Sequence, residues 1–171
     1  MSRPTIGDYA SFYHNYVMQV QEDDLQIAFQ NNSSVVDAFL NSIPESKADY
    51  AYAEGKWTVK QLLQHMIDAE RIFAHRALWF ARKSPAPLSG FDENAYADIA
   101  DVSKRSLQSL IDEMKAVRKS TEFLFNSFSE DELNTVGTAN NNPITVKALG
   151  FVTLGHFLHH KRILEDRYAI L

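Results

Sequence analysis

"KWTVKQLLQHMIDAERIFAHRALWFARK" (Lys56–Lys83) is the stretch whose reading decides the fold. Thr58, followed three residues later by Gln61, has the spacing of a capping box, in which each side chain satisfies a free backbone N–H at a helix start. From there Leu62, Met66, Ala69, Phe73, Ala77 and Phe80 recur three and four residues apart and share one helix face. Asp68, Glu70 and Arg71 suit a helix with one wet side. The run "KSPAPLSG" (Lys83–Gly90) ends it, because proline removes a backbone donor and clashes with the preceding turn.

The same spacing recurs on both sides. Upstream, Leu25, Ala28, Phe29, Val36, Phe39 and Leu40 mark a helix that stops before Pro44. Still earlier, Tyr9, Phe12, Tyr13, Tyr16, Val17 and Val20 predict a helical N-terminal arm, interrupted at the acidic Glu22–Asp24. Downstream, Leu107, Leu110, Ile111, Met114, Val117, Thr121, Leu124, Phe125 and Phe128 mark another long helix, with Ser103 as its expected N-cap. Ser129 and Glu132 form a second capping box, "GTANNNP" (Gly137–Pro143) reads as turn, and Thr145 caps a last helix to about Tyr168. "TVK" at 58–60 and 145–147 is shared helix-start chemistry. The connection over 84–102 is long, with "FDENAY" (Phe91–Tyr96) expected to form a turn of helix. No strand is predicted. Four long stripes and one long connection predict an all-α, up-down-down-up four-helix bundle with a helical N-terminal arm, a single domain over residues 1–171.

Composition narrows the function. The chain has 171 residues, 45% hydrophobic and 12% aromatic, enough for a sizeable core. A net charge of −5 without a basic run argues against a nucleic-acid partner. Cysteine is absent, which removes disulfides, a cysteine nucleophile and thiolate ligands, so a bound metal must use N or O donors. The N-terminus has no signal-peptide core, and no apolar run reaches the roughly 18 residues that span a bilayer. A soluble cytoplasmic protein is the expectation.

Three of the six histidines fall within "GHFLHHKRIL" (Gly155–Leu164). At about 100° per residue, His160 lies about 40° from His156, and Leu149, Val152 and Ile163 lie within about 40° of it. Both histidines therefore sit in the apolar face; His159 is on its flank. Histidines at i and i+4 can aim their ring nitrogens at one ion, and the i, i+3 spacing makes His159 a fallback ligand. The alternative is a pair of buried, hydrogen-bonded core histidines, for which two neutral imidazoles with no evident partner are costly. His65, at the edge of its helix's apolar arc, is the best third ligand; His75 projects away and His14 lies in the arm. A three-histidine site keeps the full charge of its metal and leaves positions open for water or substrate, where it lowers the pKa of a bound water or stabilises a thiolate.

Other residues carry weaker readings. Asp68 and Glu70 diverge from His65 on the wheel, so salt bridging is favoured over orienting an imidazole. Arg76 and Arg167 are placed inward, for an anionic substrate or a structural ion pair. "GTANNNP" is read as a turn or a mouth loop. Tyr9, Phe12, Tyr13 and Tyr16 are read as packing the arm onto the bundle, with a pocket wall or a dimer interface as alternatives.

"DYAYAEGKWTVKQLLQHMIDAERIFAHRALWFAR" (Asp49–Arg82), "FDENAY" and "GTANNNPITVKALGFVTLGHFLHHKRILEDRY" (Gly137–Tyr168) together resemble the DinB/YfiT-like superfamily, over almost the whole chain. The resemblance implies a four-helix bundle, often dimeric, with a divalent metal (Zn, Ni or Fe) on three histidines. By position these are His65, His156 and His160, all intact here, with His159 in a supporting or packing role. It also implies a small-molecule substrate. The leading expectation is a transferase using a low-molecular-weight thiol such as bacillithiol or mycothiol, since a chain without cysteine must take its sulfur nucleophile from outside. The alternatives are a hydrolase using metal-activated water and a non-enzymatic, stress-associated binding protein.

Overall fold

A computed structural model describes residues 2–170. Met1 and Leu171, the ends of the expected 1–171 domain, lie outside the described residues. Four long helices form the bundle: α2 (Leu25–Ser42), α3 (Val59–Ala81), α5 (Leu107–Asn126) and α7 (Val146–Tyr168). Their relative directions follow from side-chain pairs. Gln64 meets Arg105 and Glu70 meets Arg118, so α3 and α5 run parallel. Phe73 meets His156 and Trp57 meets Tyr168, so α3 and α7 run antiparallel. Leu25 and Phe125 both reach Gly150, which sets α2 parallel to α7 and antiparallel to α5. The order is up-down-down-up, and the long 82–106 connection makes the crossover that two parallel neighbours require.

The helix starts follow the local chemistry. Thr58 and Gln61 form the expected capping box, and so do Ser129 and Glu132 at α6 (Glu130–Leu133). The Thr145 hydroxyl accepts from the Ala148 N–H, and Asp24 caps α2. The last four residues of "FDENAY" open a true helix, α4 (Glu93–Ile99), capped by Asp92.

Four expectations change. Helix α5 is capped by Ser106, not Ser103, whose own N–H is held by Asp101 in a turn. "GTANNNP" is not simple turn: β1 (Val136–Ala139) and β2 (Asn142–Thr145) pair antiparallel across Asn140 and Asn141. Both asparagines have positive φ, the left-handed conformation that a two-residue hairpin turn demands and that asparagine tolerates. The arm is helical only over α1 (His14–Val17), after a 3₁₀ turn at Ser11–Tyr13. Arg3 ends it, donating to the carbonyls of Val17, Val20 and Glu22 and so turning the chain away. Arg167 is exposed rather than inward and donates to the Tyr52 hydroxyl.

Two apolar clusters fill the bundle. One joins the arm, the start of α7 and the end of α3; the other joins the start of α3 with α5 and the end of α7. Between them runs a polar layer containing the three histidines and a buried Glu70–Arg118 pair bound through two parallel hydrogen bonds of 2.9 and 2.7 Å. The arm lies along α7, whose residues 148–157 are buried on every side. That burial explains why this segment is apolar on nearly every side, Thr153 and His156 excepted. Among the described residues, no helix is long and apolar enough to cross a membrane.

Candidate functional site

The polar layer is where α3 and α7 bring histidines together. His65 faces α7 from the second turn of α3, and His156 and His160 face it from successive turns of α7. Nε2 of His65 lies 3.1 Å from Nε2 of His156 and 3.2 Å from that of His160; the remaining pair is 3.1 Å apart. All three side chains are buried.

Hydrogen bonds alone cannot satisfy this triangle. A neutral imidazole offers one N–H and one lone pair, so at least one edge sets proton against proton or lone pair against lone pair. A shared cation removes the conflict, because all three lone pairs then point at it. Nitrogens about 2.0–2.1 Å from one ion stand about 2.9–3.4 Å apart for octahedral to tetrahedral angles, and the observed separations fall in that range. No Asp or Glu joins the group among the described residues. The residues present therefore fit a divalent cation that accepts nitrogen ligands.

Electrostatics favour the same state. Burial, and then the neighbouring His159, push the His65 pKa from 6.5 down to about 4. Burial is also the main cause that holds His156 and His160 well below the ordinary histidine range. All three are neutral at pH 7 and present lone pairs. In metal-free protein the unfolded state then binds more protons than the folded state between about pH 4 and 6.5. Stability must be full above that window and fall as the pH drops through it. Thermal melts of chelator-treated protein are expected to hold level from pH 8 to 7 and decline steadily towards pH 5; a level curve throughout would refute the burial of neutral histidines.

Aromatic rings wall the site. Trp57 lies against His65 at 4.9 Å between ring centroids, Phe73 against His156 at 5.6 Å, and Tyr16 against His156 at 5.5 Å. Above them opens a cavity of about 360 Å³, whose rim includes Phe12, Tyr13, Phe91, Arg76, Glu93, Asn140 and His159. A second cleft of about 270 Å³, lined by Tyr52, Lys56, Asn94 and Tyr168, shares Trp57 and His160 with the first as wall. Among the described residues, the buried Nδ1 of His160 has no hydrogen-bond partner.

The structure sorts the other candidates. His14 pairs with the Tyr9 hydroxyl in the arm, and His75 is exposed beside Trp79. His159 borders the cavity and packs on Tyr16 and His160. Glu70 is committed to Arg118, and Asp68 accepts from Gln64. Of the arm aromatics, Phe12, Tyr13 and Tyr16 are cavity wall, whereas Tyr9 is core. "GTANNNP" does reach the mouth, through Asn140. The walls supplied by Trp57, Phe73 and Phe91 carried no site signal in the sequence.

Comparison with known proteins follows the same lines. The model of the DinB superfamily matches residues 28–164. The fold is similar to that of YfiT from Bacillus subtilis, described as a probable metal-dependent hydrolase with an unusual four-helix bundle topology. The TM-score is 0.68 at 16% identity, over 85% of this chain and 89% of that one. A DinB-like protein of Bacillus subtilis, YjoA, is similar with a TM-score of 0.56 at 17% identity, over 82% of this chain and 86% of that one. No curated protein matches.

Proposed function

The chain belongs to the DinB superfamily, and from that premise we propose that it is a metal-dependent transferase in which His65, His156 and His160 hold one divalent cation. Its cosubstrate is a low-molecular-weight thiol and its second reactant a small electrophile. The observation that carries this reading is that His160 and Trp57 stand between two separate clefts and wall both of them. Transfer between two organic molecules needs two approaches to one centre, and hydrolysis needs one approach plus water.

When bound, the cation supplies Lewis acidity that lowers the pKa of a sulfur or oxygen ligand. The chain's residues do the rest. The histidines hold the cation by neutral nitrogens and leave its charge uncancelled. Tyr16, Trp57 and Phe73 keep water from the reacting atoms, which strengthens every electrostatic interaction there. His159 at the rim, its pKa lowered by burial and by Arg162 and Arg167, is neutral at pH 7 and takes the thiol proton. Burial keeps the Tyr16 phenol protonated, able to donate to a leaving group. The sulfur forms a bond to the electrophilic carbon, the leaving group departs with its bonding pair, and the proton follows it.

A second reading, a hydrolase acting through water, is favoured by the description of YfiT. One assay separates the two. Zinc- or nickel-loaded protein is mixed with chlorodinitrobenzene and bacillithiol, mycothiol or no thiol, and in parallel with nitrophenyl esters. Thiol-dependent release of chloride, about a hundredfold over background, is expected. Ester cleavage that ignores thiol supports the hydrolase. Neither reaction from fully loaded protein would sink the catalytic reading and leave a binding protein.

A further inference from the structure

Two arginines are equally buried in this bundle, and only one has a counter-charge. Arg118 and Arg76 are each 3% exposed. Arg118 is clamped by Glu70. Among the described residues, no carboxylate lies within ion-pair distance of Arg76. Its guanidinium donates to the Ser89 carbonyl at 2.9 Å and, at 3.5 Å, to the Tyr13 hydroxyl, and it lies 5.9 Å from the centroid of Phe91. Those contacts are neutral and leave the rest of the fork's donors uncommitted. A buried cation without an anion is expensive, and this one borders the cavity above the histidines.

We propose that Arg76 is the anion-binding residue of that cavity, and that the small molecule taken there is an organic acid with a flat apolar body. The guanidinium fork matches a carboxylate through two parallel hydrogen bonds. Phe12, Tyr13 and Phe91 supply faces for the body. Position sets the length. Phe73 touches His156, and Arg76 follows Phe73 by about 5 Å of helix axis. A carboxylate held by Arg76 therefore puts the atoms a few bonds away over the three histidines. Glu93 on the same rim opposes an anion, but it is exposed, so water weakens that repulsion without removing it.

The proposal rests on the cavity being the substrate site, and its test is independent of metal and turnover. Binding of 4-fluorobenzoate and of its neutral counterpart 4-fluorobenzamide to chelator-treated protein at pH 8 is followed by fluorine NMR. At that pH the histidines are neutral and cannot attract the acid. The acid is expected to bind about tenfold more tightly than the amide. Arg76→Gln abolishes the preference, Arg76→Lys keeps part of it, and Glu93→Gln increases it. Equal binding of acid and amide by the parent, or a preference that survives in folded Arg76→Gln, overturns the proposal. So does a preference unchanged in both Arg76→Lys and Glu93→Gln, should Arg76→Gln not fold. A protein that shows the preference but binds no metal upholds Arg76 and removes the metal-dependent reading instead.

Discussion

His156→Ala is expected to purify with less than about a tenth of an equivalent of metal where the parent carries close to one, when neither has met a chelator or a metal-affinity tag. Nε2 of His156 lies 3.1 Å from both other ring nitrogens, so its removal leaves two donors and no carboxylate to replace the third. The thermal signature should agree. An ion present at a hundred times its Kd stabilises the fold by about 2.7 kcal/mol. For a chain of this size that corresponds to about 5–10 °C of melting temperature. Metal should raise the melting temperature of the parent and leave that of the variant unchanged. After chelation the order narrows or reverses, because alanine removes one corner of a triangle that hydrogen bonds cannot satisfy. A packed polar core without metal gives the opposite result: equal metal contents, near zero, and a variant that melts lower under all conditions. His159→Ala serves as the control and should keep its metal, since His159 lies outside the converging group.

The histidine triad was legible because both helices that carry it are regular. Once Thr58 and Thr145 set the starts of α3 and α7, helical geometry places each ring, and the apolar faces decide which rings turn inward. The up-down-down-up order was legible for a related reason: the long connection before α5 permits a parallel neighbour, and short ones do not. What stayed hidden depends on contacts far apart in sequence. Nothing near Val17 announces that α1 ends there, because the residue that collects its carbonyls is Arg3. Ser103 and Ser106 are equivalent as local caps; Lys60 of α3, which binds the Arg105 carbonyl, helps hold 103–105 as a turn. The hairpin escaped because its strands are four residues each and one contains Pro143, which reads as loop until β1 pairs with it. The cavity is a product of such contacts. Leu88, in the long connection, hydrogen-bonds to Thr138 and Asn140 of the hairpin, and this places Phe91 at the mouth. Arg76 reads as an inward charge from the wheel alone, but that no carboxylate among the described residues pairs with it is visible only in three dimensions.

The arm gives the second large effect. Gly155 precedes His156 on α7, at the point where α1 crosses it. A Cβ there would overlap the carbonyl carbon and oxygen of Tyr16 and come within 2.9 Å of its Cα. These are backbone atoms and cannot rotate aside, so Gly155→Ala must lift the arm. The gain in helix propensity, about 1 kcal/mol, acts the other way and is smaller. Lifting exposes Val17 and Val20, now buried, at about 1.5–3 kcal/mol each if fully released. A net loss of about 2–5 kcal/mol, or about 10 °C in melting temperature, is expected. Tyr16 leaves with the arm and takes the roof off His156 and His159. The three ligating candidates stay, because α3 and α7 hold them without the arm. Gly155→Ala should therefore keep its metal stoichiometry, surrender the ion to chelator much faster, and become sensitive to protease in residues 18–24. Gly150→Ala is the matched control. The atoms nearest its Cβ would be side-chain atoms, of Leu25 at 2.8 Å and of Phe125 at 3.0 Å, which can yield. It should lose less stability and leave both arm and chelation rate unchanged. Equal behaviour of the two variants would show that the arm does not press on α7 as closely as drawn, and that the roof over the histidines is not built by this glycine.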